Sequence, residues 1–430
     1  MADYYRYGYC LKSRKFIKRI TKLVLKNKNM SQLVIHSGTC ITPFEVIKNG
    51  SILIEDGIIK QIGQGKKDFS TETSPHVDAS GMFVIPGMID IHVNGGKGAN
   101  ILDGTQQALK TMSEFHLRHG TTSMLPTIIS SSISKMITAI KLVETAVNHP
   151  QSYKARILGS HLEGPYISKE QKGAHNPAHI RTATAEDYHP LLDYLETVRL
   201  ITAAPEISGV LEFARSLEEN DIIFSIGHSN AKYPQIVNAV GTGFSLVTHL
   251  YSVMSSITRQ NLTRIPGVVE SGLLLDELSV EIIGDNMHLP GSLIELIVKT
   301  KGIDKVILVT DAMRGAGMPD GSYYIGDKDD KNSIIVENGV AKTSDRQLLA
   351  GSTATMDVCL NTLISEAGLS LKDTVKTATL NPAKLLGIEN QYGIIACGKK
   401  ADIVLLDQNY QVQTVIVNGK IEYTKTNKGE

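Results

Sequence analysis

Eight apolar runs cross the middle of the chain, and nearly all carry an imidazole or a carboxylate at or near their far end. They are MIDIHV (88–93), TSMLPTII (122–129), RILGSHLEG (156–164), VRLITAAPE (198–206), IIFSIGHS (222–229), FSLVTHLYS (244–252), SVEIIGDNMH (279–288) and KVILVTDAM (305–313). Amphipathic stretches such as TQQALKTMSEFHLRHG and SGVLEFARSLEEN separate them. Continuous apolar runs mark strands buried on both faces, and helical connections between them mark a parallel sheet. Eight such units predict an α/β chain with a (β/α)8 TIM-like barrel; a doubly wound open sheet is the alternative. The polar ends favour the barrel. His92, Glu163, Glu206, His228, His249, His288 and Asp311 would converge on one mouth, where barrel chemistry occurs. Each is costly to bury unpaired, and a shared cation would satisfy several at once.

The flanks have a different texture. QLVIHSGTCIT, GSILIEDGIIKQIGQG and MFVIPG are short β-rich runs broken by Asn-Gly and Asp-Gly turns, and the style returns in YGIIACGKKADIVLLDQNYQVQTVIVNGKIEY. Neither end holds enough strands to stand alone, so a small β-sandwich domain built from both termini is expected. The expected division is residues 31–85 with 393–425 for the sandwich and 86–392 for the barrel. Residues 1–30 hold nine basic residues and one acid, leaving 35 basic against 43 acidic in the remainder. This basic tail reads as a solvated, partly disordered extension, or as sequence upstream of a working start at Met30. An organelle address or an anion-binding arm is the sharper alternative.

Composition narrows the function classes. With 44 basic and 44 acidic residues, no global field attracts nucleic acid or an anionic membrane. No run of 18 apolar residues predicts a transmembrane helix. Cys10, Cys40, Cys359 and Cys397 are scattered without a CxxC pair, which excludes a disulfide scaffold and fits a cytoplasmic, reducing location.

Glu163, His228 and His249 end the third, fifth and sixth runs. One carboxylate with two neutral imidazoles is a catalytic set for a divalent metal, with positions left for water or substrate. Zinc and iron suit imidazole better than magnesium does. Asp311 ends the eighth run and could serve as general base, as a further ligand or as a helix cap. The first run ends His92-Val93-Asn94 rather than His-x-His, so a second metal position lacks a ligand. His92 either assists the one metal or hydrogen-bonds at the barrel floor. Gly95, Gly96 and Gly98 lack the full phosphate-loop pattern and read as a flexible loop.

Read together and in order, PGMIDIHVNGG, HLEGPYIS, KGAHNP, GHS, THLYSVM, RIPG, GDNMH, LVTDAM and LAGSTATM resemble the N-acetylglucosamine-6-phosphate deacetylase family of the amidohydrolase superfamily. The likeness runs from about Gln32 to Tyr423. It implies a distorted barrel with a small sandwich, and removal of acetate from the 2-acetamido group of a sugar 6-phosphate, a step of amino-sugar catabolism. It implies one divalent metal per subunit, zinc first and iron second, held by Glu163, His228 and His249, with Asp311 as general base and acid. It implies substrate contacts at Ala174, His175, Ser252, Val253, Asp285, His288, Leu349, Ala350 and Gly351. Arg264 would pair with the sugar phosphate, with Arg259 its rival, and the arginine can come from the other subunit of a homodimer.

The family usually reads Asn-Ala-Met after THLY, where this chain reads Ser252-Val253-Met254. An amide contact beside the sugar is lost and bulk is added, while the metal set and Asp311 are untouched. The epimer N-acetylgalactosamine-6-phosphate is therefore the alternative substrate. A cyclic-amide hydrolase of the superfamily would carry a modified Lys on the fourth strand, and VRLITAAPE has none. A non-catalytic sugar-phosphate-binding paralogue draws support only from Ser252-Val253.

Overall fold

The computed structural model describes residues 32–42, 44–65, 75–330 and 332–426; the basic N-terminal segment lies outside the described residues. Strands β1 (Met88–Val93), β2 (Thr121–Ile129), β3 (Ser160–Glu163), β4 (Val198–Ala203), β5 (Ile223–Ile226), β6 (Phe244–Val247), β7 (Ser279–Ile283) and β8 (Val306–Val309) pair in parallel in chain order. The ring closes between β8 and β1 through a bridge of Val93 with Ala312. Two backbone hydrogen bonds reinforce it: Asp311 N to His92 O at 2.9 Å and Gly95 N to Ala312 O at 2.8 Å. This is the barrel expected from the eight runs, with a sparse seam. The third run is not one strand. It breaks at Gly159, whose φ is +142° and where a Cβ would come 2.5 Å from Thr197 O.

A helix follows each strand, from Gln106–Arg118 after β1 to Met356–Ser365 after β8. The first shows why. Thr105 caps it by accepting from Ala108 N, and Ala108, Leu109, Met112 and Phe115 form its buried stripe. Gly120, at φ 86°, ends the turn that leads into β2. Strand residues divide between two cores. Ile89, Ile91, Leu125, Leu200, Leu246 and Ile307 pack together with Ala383 and Leu386, while Met88, Met124, Leu162, Ile201 and Leu308 join the larger core with the helices. No helix among the described residues is long and apolar enough to cross a membrane.

Both termini enter one hydrogen-bonded sheet. Its order is Lys420–Thr424, Val412–Val417, Ile403–Leu406, Phe83–Pro86, Gln32–Ile41, Val46–Glu55, Ile58–Gln64, with His76–Asp78 beside Gln32–Ile41. The segment leading into Ile403–Leu406 also reaches the start of Ile58–Gln64, with Ala401 N donating to Gly57 O at 2.8 Å. Ile403 and Leu405 face its own core, and Val404 and Leu406 face the barrel's. The glycines after β1 are not a flexible loop. Gly95–Gly96 and Ala99–Asn100 form a buried hairpin, where a Cβ on Gly95 would stand 2.5 Å from Ala99 O.

Arg156, just ahead of β3, ties barrel to sheet. It ion-pairs with Asp402, lies over the Tyr392 ring at 4.6 Å, and donates to Ser123 Oγ at 3.2 Å. Asp402 also accepts from Asn418 N at 2.7 Å. Asp402→Ala would leave a mostly buried guanidinium unpaired, and should lower the unfolding free energy by about 3 kcal/mol, read from chemical denaturation.

Candidate active site

Of the polar residues expected at the mouth, Glu163, His228, His249, His288 and Asp311 reach it, whereas His92 lies within β1 and Glu206 instead accepts from Ser229 Oγ and Asn230 N beyond β4. Glu163 is the last residue of β3, and His228, His249 and Asp311 each follow their strand by two residues. Those three share left-handed backbones, with φ of 48°, 31° and 48°. Such conformations cost about 1–3 kcal/mol in non-glycine residues and persist where the surroundings enforce them. Neighbouring segments hold them here: Ser168 N donates to His228 O at 2.9 Å, Leu250 N to Glu281 O at 2.9 Å, and Ser352 N to Asp311 O at 2.8 Å.

Glu163 gathers the imidazoles. Its Oε1 lies 3.0 Å from His228 Nε2 and 3.2 Å from His249 Nε2, and those two nitrogens are 3.2 Å apart. Its Oε2 lies 3.4 Å from His92 Nε2 and 3.7 Å from His175 Nε2. His228 Nδ1 donates to Gln171 O at 2.7 Å, so its Nε2 presents a lone pair to a carboxylate oxygen. Two acceptors in contact repel unless a cation lies between them. Atoms bound at about 2.0–2.2 Å around a tetrahedral ion sit about 3.3–3.6 Å apart, a few tenths of an ångström wider than the spacing here. The donor set of one carboxylate and two imidazoles therefore fits a divalent metal. Ligand atoms of Glu163, His175 and His228 also lie within 4.8 Å of one another. The shorter contacts of His249 make it the better third donor.

Burial and charge set the protonation pattern. Burial pushes the Glu163 carboxyl up, but the charge of His92, first among the opposing causes, and the surrounding imidazoles hold it well below the usual range. Burial lowers His249 to about 4, which keeps it neutral for ligation. Burial also raises Asp311 to about 6; His92 pulls it down and Glu163 pushes it up. His288 is drawn down by burial, yet its hydrogen bond to Asp285 at 2.7 Å and that carboxylate's charge bring it above the ordinary value.

Glu163, His175, His228, His249, His288 and Asp311 line a cavity of about 300 Å³. Asn94, His175 and Asp311 face it on the polar side, and Ile129, Val253, Ile325 and Leu349 on the apolar side. The amidohydrolase family model matches residues 83–421. The N-acetylglucosamine-6-phosphate deacetylase of Bacillus subtilis (strain 168) is 33% identical over 396 residues, covering 91% of this chain and 97% of the relative. The chain belongs to the N-acetylglucosamine-6-phosphate deacetylase family of amidohydrolases. The N-acetylgalactosamine-6-phosphate deacetylase of Escherichia coli O157:H7 is 31% identical over 337 residues, 78% of this chain and 86% of the relative. A mutant deacetylase from Mycobacterium smegmatis, solved in complex with N-acetyl-D-glucosamine-6-phosphate, superposes with a TM-score of 0.83 at 29% identity, covering 92% of this chain and all of that one.

Within this family frame, most residues expected from the motifs meet. Glu163, His228, His249, Asp311, Ala174, His175, Ser252, Val253, His288, Leu349 and Gly351 all line the cavity. His92 sits beneath them, its Nδ1 3.1 Å from Glu281 Oε2 and its Nε2 between Glu163 and Asp311. Asp285 and Ala350 do not line the cavity: Asp285 acts on His288, and the buried Ala350 donates its N–H to Ala341 O at 3.1 Å. Arg264 is exposed on a hairpin of Thr258–Gln260 and Thr263–Ile265, directly opposite Arg259, and neither lines the cavity.

Glu281 was missed by the motif reading. Its Oε2 meets His92 Nδ1 and accepts from His249 N at 3.2 Å, so one buried carboxylate steadies two site residues. It is the single charged residue within SVEII, and that was its signal. A metal-depleted preparation should gain about 2.7 kcal/mol in unfolding free energy at free divalent metal 100 times Kd. Thermal melts with and without metal check this, and an undiminished gain in Glu163→Gln would remove Glu163 from the ligand set.

Proposed function

We propose that this chain is a metal-dependent hydrolase that removes acetate from N-acetylglucosamine-6-phosphate, releasing glucosamine-6-phosphate. What carries the reading is the convergence of Glu163, His228, His249 and Asp311 at one mouth in a chain of this family. Glu163, His228 and His249 would hold a single divalent ion, zinc first and iron second. When bound, the ion supplies polarisation of the amide carbonyl and acidification of a water.

The chain's own residues do the rest. Asp311 takes the proton of the attacking water and returns it to the departing amine. His175, kept on the neutral side of its ordinary value by burial, pairs its Nδ1 with Ser130 Oγ at 2.8 Å. In the tautomer where Ser130 is the donor, the His175 proton lies on Nε2 and is donated to the carbonyl oxygen as negative charge develops there. His288, held by Asp285, binds a remote polar group of the sugar, so that binding energy seats the amide over the ligand set. Arg264 or Arg259 reaches the phosphate from the hairpin of a neighbouring subunit. Their exposure outside their own cavity supports a homodimer in which each copy completes the other's site.

The second substrate reading is N-acetylgalactosamine-6-phosphate. Ser252 and Val253 on the cavity wall favour it, together with the similarity to the Escherichia coli relative. Acetate release from the two epimeric substrates, with metal analysis of the same sample, decides between them. Release from neither would end the deacetylase reading.

Asp311→Asn should retain metal and lower kcat by about 10²–10⁴-fold. A base must be ionised to act, so activity should fall as the pH drops through the Asp311 value. Burial raises that carboxyl to about 6. A bound cation pulls it lower, so the acid limb of kcat/KM should lie at or below about pH 6.

A further inference from the structure

We infer that Asn94 is a positioning residue for Asp311: it holds one carboxylate oxygen so that the other faces the reacting amide. The inference rests on the acid–base role proposed above for Asp311. Asn94 Nδ2 donates to Asp311 Oδ1 at 2.5 Å, joining residues 217 positions apart. His92 Nε2 approaches the same oxygen at 3.4 Å. Among the described residues, Oδ2 has no hydrogen-bond partner. One oxygen is therefore tethered and the other free to exchange a proton. The amide orientation follows from chemistry, because the reverse flip would set Asn94 Oδ1 against a carboxylate.

Both ends of this tether are anchored. Asn94 O accepts from Asn100 Nδ2 at 2.7 Å, and the adjoining Gly95 N donates to Ala312 O at 2.8 Å. Asp311 is held in its left-handed conformation by His92 O on one side and Ser352 N on the other. The two side chains are buried and face each other across the β8–β1 seam. Without the amide, the carboxylate would turn about its terminal torsion and spend less time with an oxygen toward the substrate. A shape-conserving Asn94→Asp removes the donor and adds repulsion.

Wild-type, Asn94→Ala and Asn94→Asp holoenzymes are compared on N-acetylglucosamine-6-phosphate and its galacto epimer, with metal content and thermal midpoint measured on each. Loss of a hydrogen bond to an ionised group should lower kcat of Asn94→Ala by about 10–100-fold, with KM within about threefold of wild type. Its acid limb should move up by about one pH unit, since the carboxylate loses a donor. Asn94→Asp should lose at least as much kcat while binding the metal. Wild-type kcat in Asn94→Asp, or a loss in Asn94→Ala by the same factor at every pH, would overturn the inference and leave the deacetylase reading standing. Absence of acetate release from wild type would overturn both.

Discussion

The buried carboxylate of Glu163 is the charge around which the mouth of the barrel is arranged. An ion in that position is tolerable only with compensating charge: the charged His92 stands with His175 toward one oxygen, and His228 and His249 crowd the other, where a divalent cation would satisfy all three. The arrangement is over-provided with acceptors. With His228 Nδ1 donating to Gln171, its lone pair faces Glu163, a contact that a divalent ion converts from repulsion to ligation. The left-handed turns at His228, His249 and Asp311 serve the same end, since each carries a side chain off the line of its strand and toward the shared centre.

Beneath this centre the strands supply a buried polar layer. His161 lies 2.8 Å from Thr202 Oγ1, Thr202 lies 2.7 Å from Thr248, and Thr248 lies 2.5 Å from Ser225. His161, driven far below its ordinary value by burial and then by the His92 charge, stays neutral in this layer. Satisfied networks of this kind hold their members in one arrangement. Glu281 belongs to the same layer and passes that rigidity upward through His92 and the backbone of His249.

Much of this was legible in the chain because parallel barrel strands announce themselves twice, by continuous apolar runs and by polar residues at their ends. Glu163, His228, His249 and Asp311 could be named from that pattern with the motifs, and the cavity unites them. What escaped lies in contacts between distant segments. Glu281 is 189 residues from His92, and Asn94 217 from Asp311, so no local spacing relates them. The three-stranded sheet of Gly321–Tyr324, Ser333–Glu337 and Val340–Thr343 interrupts the last β/α unit, and Ile325 beside it lines the cavity. Its two outer strands, GSYY and VAKT, are too short to stand out from loop sequence, and pairing with the central SIIVE makes them structure. The glycines after β1 misled for a related reason: they permit close backbone packing against Arg314, which spacing alone does not distinguish from flexibility.

The position of Asp311 explains why the chain's two ends matter to a site built in its middle. Asp311, Asn94 and His92 all stand where β8 meets β1, the sparsest junction of the ring. A junction with few ladder bonds needs support from outside, and the segments after the barrel provide it. Asn381 Nδ2 donates to Val306 O at 2.7 Å and to Ile303 O at 2.8 Å, fixing the start of β8. Ala383 and Leu386 close the inner core against Ile89 and Ile307 on the two seam strands. Phe83–Pro86, leading directly into β1, pairs with Ile403–Leu406, and Gly87 N donates to Asp402 O at 2.8 Å. The sheet made from both termini thereby sets where β1 begins, and with it the seam across which the carboxylate of Asp311 is aimed.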